Sequence, residues 1–352
     1  KIDLSQRALN EQLRIDFGLF TSTQQRADLF DEQKVFYGAA AQNPTYALQE
    51  KVGGGWYTNP TASQIAAPQA MFRASNDLEN QHLNAHVQLK LKLDDAFSFS
   101  ALGTYTNSTN QELQYYPTWI WAQGQALRRQ RNYKDWLANF SLDFDRFWGA
   151  HRLTARALVE WQHSRQTEFG TLVKGFTNNS TGYHNLAAGA LRPYGGTYSD
   201  RQDATLLSGL FSARYSIFNR YALSVSVRAD GSSLVGENHT WGLFPSISGE
   251  WDVKHEAFLR GVDAVNRLKF RIGYGESGNL AGISAYNAVR RMVPTNVVPV
   301  NGAPVVTMSE ARNYNPDLRW ETRATFNVGA EAALWDNRLI LTVAYYHAVT
   351  RD

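Results

Sequence analysis

The stretch YALSVSVRADGSS, residues 221–233, alternates apolar and polar side chains and then ends in a turn sequence. Positions 221, 223, 225 and 227 carry Tyr, Leu, Val and Val, while positions 224, 226 and 228 carry Ser, Ser and Arg. Side chains of an extended chain point alternately to opposite faces, so this period of two predicts a β-strand with one apolar and one polar face. Such a strand fits a soluble β-sandwich or a membrane β-barrel, and the rest of the chain distinguishes the two.

The composition of the 352-residue chain excludes several classes of protein. A transmembrane helix needs about 20 apolar residues, and the closest candidate, residues 292–309, contains Pro294, Pro299 and Pro304, so we predict a loop there. The absence of cysteine excludes disulfides, thiol catalysis and cysteine metal sites. A net charge of +3 gives no argument for nucleic acid binding. Because the chain begins at Lys1, we expect a processed protein or a piece of a longer one.

The same alternation recurs in about twelve segments, most of them near ten residues long. The predicted strands are a short one before Arg7 and segments at residues 13–19, 83–93, 97–105, 136–144, 153–161, 204–217, 221–228, 243–251, 267–275, 324–335 and 338–350. A tilted membrane-spanning strand needs about 9–11 residues, whereas strands of soluble proteins average roughly 5–6. The lengths therefore favour a transmembrane barrel.

The connections between these segments alternate in length. Short turns are predicted near residues 7–12, 94–96, 147–151, 218–220 and 335–337, with a somewhat longer one at 253–266. Long polar loops are predicted at about 23–79, 106–133, 163–203, 229–240 and 276–318. Short turns on one side and long loops on the other are the arrangement of an outer-membrane barrel, with periplasmic turns and extracellular loops.

Aromatic residues flank the aliphatic middle of the predicted strands at both ends. At the short-turn ends they are Phe147, Trp148, Phe218, Tyr221, Trp251 and Trp335, and at the loop ends they are Tyr105, Trp136, Trp161 and Tyr274. Two aromatic girdles at the level of the lipid head groups are typical of membrane proteins. We therefore expect the apolar face of the strands to contact lipid and the polar face to line a watery lumen. Since lipid cannot satisfy unpaired backbone groups, such a sheet must close.

Longer motifs in the chain are specific enough to indicate a family. They are LSVSVRADGSSLVGENHTWGLFPSISGEW (223–251), LKFRIGYGESGN (268–279), NPDLRWET (315–322), NVGAEAALWDNRLILTVAYYHAVTRD (327–352) and, more weakly, NPTYALQE (43–50). In content and order they resemble motifs of the SusC/RagA-type TonB-dependent outer-membrane transporters. The strong match covers roughly residues 205–352, with weaker support from 1 to 204. The DGSS, FPS and NPDLRWE motifs are expected to be structural.

The resemblance implies an all-β fold, a transmembrane antiparallel barrel of about 22 strands with a plugged lumen. Residues 1–352 are then expected to form part of one barrel domain, with the plug, signal, TonB-contacting segment and final strands absent. It also implies active import across the outer membrane of a Gram-negative bacterium. A SusD-like surface lipoprotein would deliver an oligosaccharide, or an oligopeptide in RagA-like members, and the TonB–ExbB–ExbD system would act through the missing plug region. No catalytic residue, metal or cofactor is expected in this chain.

Candidate substrate-binding residues come from a loop and from the predicted lumen. The predicted extracellular loop carries the aromatic residues Tyr115, Tyr116, Trp119 and Trp121. Exposed rings can stack on sugars or anchor a partner protein; the alternative is that they pack against neighbouring loops or extend an outer girdle. Arg156 and Glu160 lie on the polar face of one predicted strand and are the candidate lumen contacts.

Three patterns that resemble catalytic or metal sites have simpler interpretations. GESG at 275–278 lacks the spacing of a serine-hydrolase elbow, and glycines in a tight loop explain it. Asp143 and Asp145 stand about 7 Å apart on one strand, and lumen or rim charges explain them better than a glycosidase pair. His82 and His86 stand about 13 Å apart, which is too far for one metal.

Two other classes of protein share part of this pattern. A passive porin or an adhesin-like barrel has the same periodicity but needs neither a plug nor a lipoprotein partner. A soluble β-rich carbohydrate-active enzyme would be extracted without detergent and would lose hydrolysis on replacement of Asp143 or Asp145. The ordered motifs favour the importer over both.

Overall fold

The computed structural model describes residues 1–29, 32–41, 45, 74–118 and 123–351. The strands are β1 (Ile2–Ala8), β2 (Leu13–Ala27), β3 (Ser75–Lys92), β4 (Phe97–Tyr116), β5 (Gln125–Trp148), β6 (His151–Phe176), β7 (Gly189–Leu191), β8 (Thr197–Ile217), β9 (Tyr221–Ser232), β10 (Trp241–Asp252), β11 (Val265–Asn279), β12 (Met292–Val300), β13 (Ala303–Glu310), β14 (Glu321–Leu334) and β15 (Leu339–Arg351). One α-helix, α1 (Glu32–Ala41), lies between β2 and β3. In the described ranges, no helix combines the length and apolarity needed to cross a membrane.

Twelve of these strands form one continuous antiparallel wall. Their order is β1-β2-β3-β4-β5-β6-β8-β9-β10-β11-β14-β15, with β7 beside β6 and a separate β12–β13 hairpin. Almost every strand therefore pairs with its neighbour in sequence, which is the up-and-down arrangement of membrane barrels. Within the described residues the sheet does not close on itself, because β1 and β15 each have one partner. The all-β fold and the strand number predicted from the sequence are confirmed.

The register places all the predicted apolar rows on the same side of the wall, which we call the apolar face. One row crosses the middle of the sheet through Val159, Gly209, Ala229 and Leu243. Val159 and Leu243 are 55% and 62% exposed, since no other layer of the described chain covers this part of the face. A soluble sandwich buries such a row against a second sheet, so the exposed row fits a lipid-facing surface instead.

The opposite side, which we call the polar face, carries hydrogen-bonded and charged side chains. Ser226 and Ser246 bond to each other across β9 and β10 at 2.7 Å. Arg214 and Lys269 both approach Glu250 at 3.3 Å from different strands. Polar groups that pair across strands in this way are typical of the inner surface of a membrane barrel.

The predicted short turns are confirmed at the end of the wall where the apolar rows begin. Residues 218–220 connect β8 to β9, and Phe218 and Asn219 have φ of 55° and 54°, the left-handed conformation found in tight hairpin turns. Residues 335–338 connect β14 to β15, and Trp335, Asp336 and Asn337 among them also have positive φ. These tight turns fix the register of each hairpin, and with it the face to which every side chain points.

The predicted long loops are wrong over much of their length, because the strands extend far beyond the apolar rows. β4 reaches Tyr116 and β5 begins at Gln125 inside the predicted loop 106–133, while β6 reaches Phe176 inside the predicted loop 163–203. Residues 292–309, predicted as a loop, fall in the β12–β13 hairpin. The extended strands are polar on both faces, as in the 3.0 Å bond between Thr109 and Asn132. Above a membrane both faces meet water, so alternation disappears while the backbone ladder continues.

Candidate functional site

Arg156 and Glu160 both lie on the polar face, as predicted, but they belong to two different ion pairs. Arg156 donates from Nε to Asp143 of β5. Glu160 lies 3.6 Å from Arg228 of β9. Both side chains are already engaged with a neighbouring strand. Their contact with substrate stays a prediction.

The aspartate pair of β5 is also neutralised across the sheet. Arg152 of β6 donates from Nε and Nη2 to the two carboxylate oxygens of Asp145, at 3.0 and 2.8 Å. Asp143 accepts from Arg156. These bonds support the interpretation of Asp143 and Asp145 as wall charges.

The tyrosines of the predicted aromatic loop are buried. Tyr115 and Tyr116 end β4 and are 5% and 1% exposed. The Tyr115 ring packs edge-on against Phe176 with centroids 5.4 Å apart, and its hydroxyl donates to Asn179 at 2.9 Å. Because both rings are buried, neither presents a free face to a substrate. This arrangement corresponds to the alternative given for this loop, in which the rings pack against a neighbouring loop. Trp119 and Trp121 lie outside the described residues.

A segment between β6 and β8 provides this cover. Residues 177–188 fold over the apolar side of the wall near its tall end, and Tyr183 and Leu186 pack against the cluster around Tyr115. The Tyr183 hydroxyl donates to Asp77 of β3 at 2.6 Å, which fastens the segment to a strand far away in sequence. Burial, and secondly the bond to Asp77, raise the pKa of the Tyr183 phenol to about 12.

We expect this fastening to be lost only in strong alkali. The phenol is protonated in the folded and unfolded states below its ordinary pKa of 10.0, so its contribution to stability is complete there and disappears as the pH rises towards 12. An ultraviolet difference titration between wild type and Tyr183→Phe should therefore contain one phenol that ionises near pH 12. A difference transition near pH 10 would contradict the buried, bonded phenol.

Sequence reasoning missed a second group on the polar face, above the level of the apolar rows. This upper polar cluster consists of Glu112, Arg129, Arg131, Tyr133, Glu168 and Tyr198. Arg131 contacts Glu168 at 2.7 Å, and the Tyr198 hydroxyl donates to the same carboxylate at 2.8 Å. Their common face follows from the register of β4–β6 and β8, but both faces of these strands are polar at this height, so no alternation marks them in the sequence.

The two tyrosines of the upper polar cluster remain accessible. Tyr133 and Tyr198 are 37% and 38% exposed. The Tyr198 ring lies over Gly170, where a Cβ atom would come within 2.6 Å of the ring. The absent side chain thus makes room for the ring to lie against the wall, with carboxylates and guanidinium groups around it.

The family-like motifs meet in a different place, which we call the motif junction. The amide of Gly236, after DGSS, donates to the carbonyl of Leu318 in NPDLRWE at 2.7 Å. The Trp320 indole donates to the carbonyl of Thr240 at 3.1 Å, and its ring packs on Phe244 with centroids 5.4 Å apart. The motifs thus join β9–β10 to the segment before β14, which agrees with a structural role.

These features define a membrane-barrel wall, and the chain belongs to the TonB-dependent receptor-like β-barrel family, whose model matches residues 16–352. The resemblance seen in the sequence is therefore confirmed. Among curated proteins, the chain is 27% identical to TonB-dependent receptor P26 of Formosa agariphila, over 97% of this chain and 36% of that receptor. It is 31% identical to TonB-dependent receptor SusC of Bacteroides thetaiotaomicron, over 42% of this chain and 15% of that receptor.

The fold is also found among solved structures. The RagAB peptide transporter superposes with a TM-score of 0.79 at 19% identity, covering 99% of this chain and 39% of that one. The chain thus spans about a third of the length of P26 and under two fifths of this solved chain. The family consists of outer-membrane receptors and transporters rather than enzymes.

Proposed function

We propose that this chain forms part of the wall of an active outer-membrane importer for oligosaccharides. In this proposal a SusD-like surface lipoprotein delivers the substrate, and the TonB–ExbB–ExbD system acts through a plug that lies outside residues 1–352. The single observation that supports it best is the upper polar cluster, which lines the polar face at its tall end. The chain contributes the wall and substrate contacts, and it carries out no chemistry.

The chemistry of this cluster suits a polar, uncharged oligomer. Its carboxylates are paired with arginines, as in Arg131–Glu168 and Arg129–Glu112, so the surface offers hydrogen bonds with little net charge. The exposed faces of Tyr133 and Tyr198 offer apolar platforms beside those hydrogen-bonding groups. Sugar rings present hydroxyls at their edges and C–H groups on their faces. In this proposal the hydroxyls bond to the charged groups and the C–H faces lie on the tyrosine rings.

Oligopeptide import is the second candidate. The superposed RagAB structure is that of a peptide transporter, although its 19% identity supports the fold alone. A peptide backbone also bonds to carboxylate and guanidinium groups, so the cluster does not exclude it. A passive porin is the third candidate, and it requires no lipoprotein and no energy.

The proposal is tested with the complete native complex. We expect mild-detergent extracts of the outer membrane to contain a longer parent chain, a surface lipoprotein and a trapped glycan, each identified by mass spectrometry. A trapped peptide would favour the second candidate. A short barrel without lipoprotein or plug sequence would leave the porin.

Uptake assays address the cluster itself. In the native host, Tyr133→Ala combined with Tyr198→Ala should lower uptake of the co-purified oligosaccharide about thirtyfold, since two aromatic platforms at roughly 1 kcal/mol each contribute about 2 kcal/mol. Tyr345→Ala is the matched control, because Tyr345 is 61% exposed on the apolar face. Equal uptake by the double variant and the control, at equal barrel abundance, would remove the cluster from the substrate path.

A further inference from the structure

The apolar face carries a group of cations immediately above its aromatic belt. On β5 and β6 the belt contains Trp136 and Trp161, with the imidazole of His163 between them at centroid distances of 5.6 and 6.1 Å. One step further from the membrane the same face carries Lys134, Arg165, Arg201 and Asp203. We call these four residues the outer cation cluster. Their height above the belt is that of lipid head groups.

The outer cation cluster contains more positive than negative charge. Arg165 and Arg201 both approach Asp203, at 2.6 and 2.7 Å, so one carboxylate serves two guanidinium groups. Lys134 stands directly opposite Arg165 in the β5–β6 register, and no carboxylate of the described chain lies within 4 Å of its ammonium group. Like charges in directly opposed positions destabilise a sheet, so an external anion would stabilise this arrangement.

A groove lies lower on the same strands of the apolar face. Small residues Ala157, Gly209 and Ala229 form its floor, and bulky side chains that include Phe140, Phe211 and Leu243 form its sides. A Cβ atom built on Gly209 would meet nothing within 4 Å, so the floor is open. Arg165 lies six positions beyond Val159 on β6, a distance of about 20 Å along the strand from the groove. Strand tilt reduces this to roughly the thickness of one lipid leaflet.

From this geometry we infer that the wall binds a phosphorylated, acylated glycolipid of the outer leaflet. One acyl chain fills the groove, and the lipid phosphate bonds to Lys134 and Arg201, while Arg165 stays paired with Asp203. Arginine's planar fork fits phosphate oxygens, and the exposed Lys134 supplies the second charge. The inference depends on the outer-membrane location of the wall and is independent of transport.

The test uses the complete receptor purified in detergent and native mass spectrometry with added lipid A. Lys134→Gln combined with Arg201→Gln removes two charges and leaves the Arg165–Asp203 pair intact. Two bonds to phosphate account for at least a tenfold change in affinity, so this variant should bind lipid A about tenfold more weakly. Arg260→Gln combined with Arg338→Gln is the matched control, because both side chains are exposed at short turns on the opposite end of the wall.

Two further arms identify which part of the lipid is bound. Dephosphorylated lipid A should bind the wild type as weakly as lipid A binds the double variant, and inorganic phosphate alone should bind weakly to both. Gly209→Leu fills the groove and should weaken binding of lipid A with no change for inorganic phosphate. Equal binding of phosphorylated and dephosphorylated lipid A by wild type, or of lipid A by all variants, would overturn the site. Substrate uptake that is unchanged in the variant with Lys134→Gln and Arg201→Gln would show that lipid binding and the proposed import are separate properties of the wall.

Discussion

Gly236→Ala should prevent the motif junction from forming and should lower the yield of folded barrel severely. A Cβ atom at this position would come within 1.9 Å of the carbonyl oxygen of Pro316, and that oxygen belongs to backbone which cannot rotate away. The amide of Gly236 would also be drawn from its 2.7 Å bond to Leu318. A clash with backbone destabilises the fold more than overpacking of side chains does, because the backbone cannot move aside. We therefore expect the free energy of unfolding to fall by more than about 3 kcal/mol.

The measurement is urea unfolding of the complete receptor in lipid vesicles, followed by tryptophan fluorescence, with heat-dependent gel mobility as the measure of yield. Gly261→Ala is the control, since a Cβ atom there meets nothing within 4 Å. It should unfold within about 0.5 kcal/mol of wild type. A Gly236→Ala barrel as stable as this control would show that the junction is free to shift.

Arg228→Met should give the second large effect, by leaving a buried carboxylate without its counter-ion. Arg228 donates from Nε to both oxygens of Asp230 at 2.8 Å and from Nη2 to Ser208 at 3.0 Å. The Asp230 side chain is 9% exposed. Breaking a fully buried pair costs roughly 3–5 kcal/mol, but Arg228 is about a third exposed and partly screened, so we expect about 2 kcal/mol.

A second substitution separates the unpaired charge from lost packing. Adding Asp230→Asn to Arg228→Met removes the more deeply buried of the two carboxylates that lose Arg228, while Glu160 stays charged, and should restore about half of the stability. Arg214→Met is the matched control, because Arg214 is 49% exposed and its partner Glu250 keeps Lys269. The control should cost less than about 1 kcal/mol. If Arg214→Met is as damaging as Arg228→Met, burial at Asp230 is not the cause.

The membrane-spanning part of the wall was predictable because lipid imposes a strict rule on sequence. Every second side chain of β9 must be apolar from Tyr221 to Val227, and the register confirms that these positions share a face. The turns were predictable for a related reason, since the alternation has to stop at both ends of each span. Strand number and order followed directly from these two constraints.

The tall ends of β4–β6 were not predictable, because water on both faces removes the alternation that marks a strand. Asn107, Ser108 and Thr109 look like loop residues, yet they pair with Lys134, Tyr133 and Asn132. The burial of Tyr115 depends on a segment that carries Asn179, 64 residues further along the chain. Such tertiary contacts leave no trace in the local sequence. Tyr133 and Tyr198 were missed for the first reason, because no alternation marks the strands that carry them.

The strand order described above also determines how much chain entropy each pairing loses. Most neighbours are joined by short connections, but β2 meets β3 across residues 28–74, and β11 meets β14 across residues 280–320. Closing a connection of that length costs roughly 2 kcal/mol more than closing a five-residue turn. Along the chain, the wall therefore divides into three blocks of local contacts, β1–β2, β3–β11 and β14–β15. The two pairings that join these blocks, β2 with β3 and β11 with β14, lose the most chain entropy.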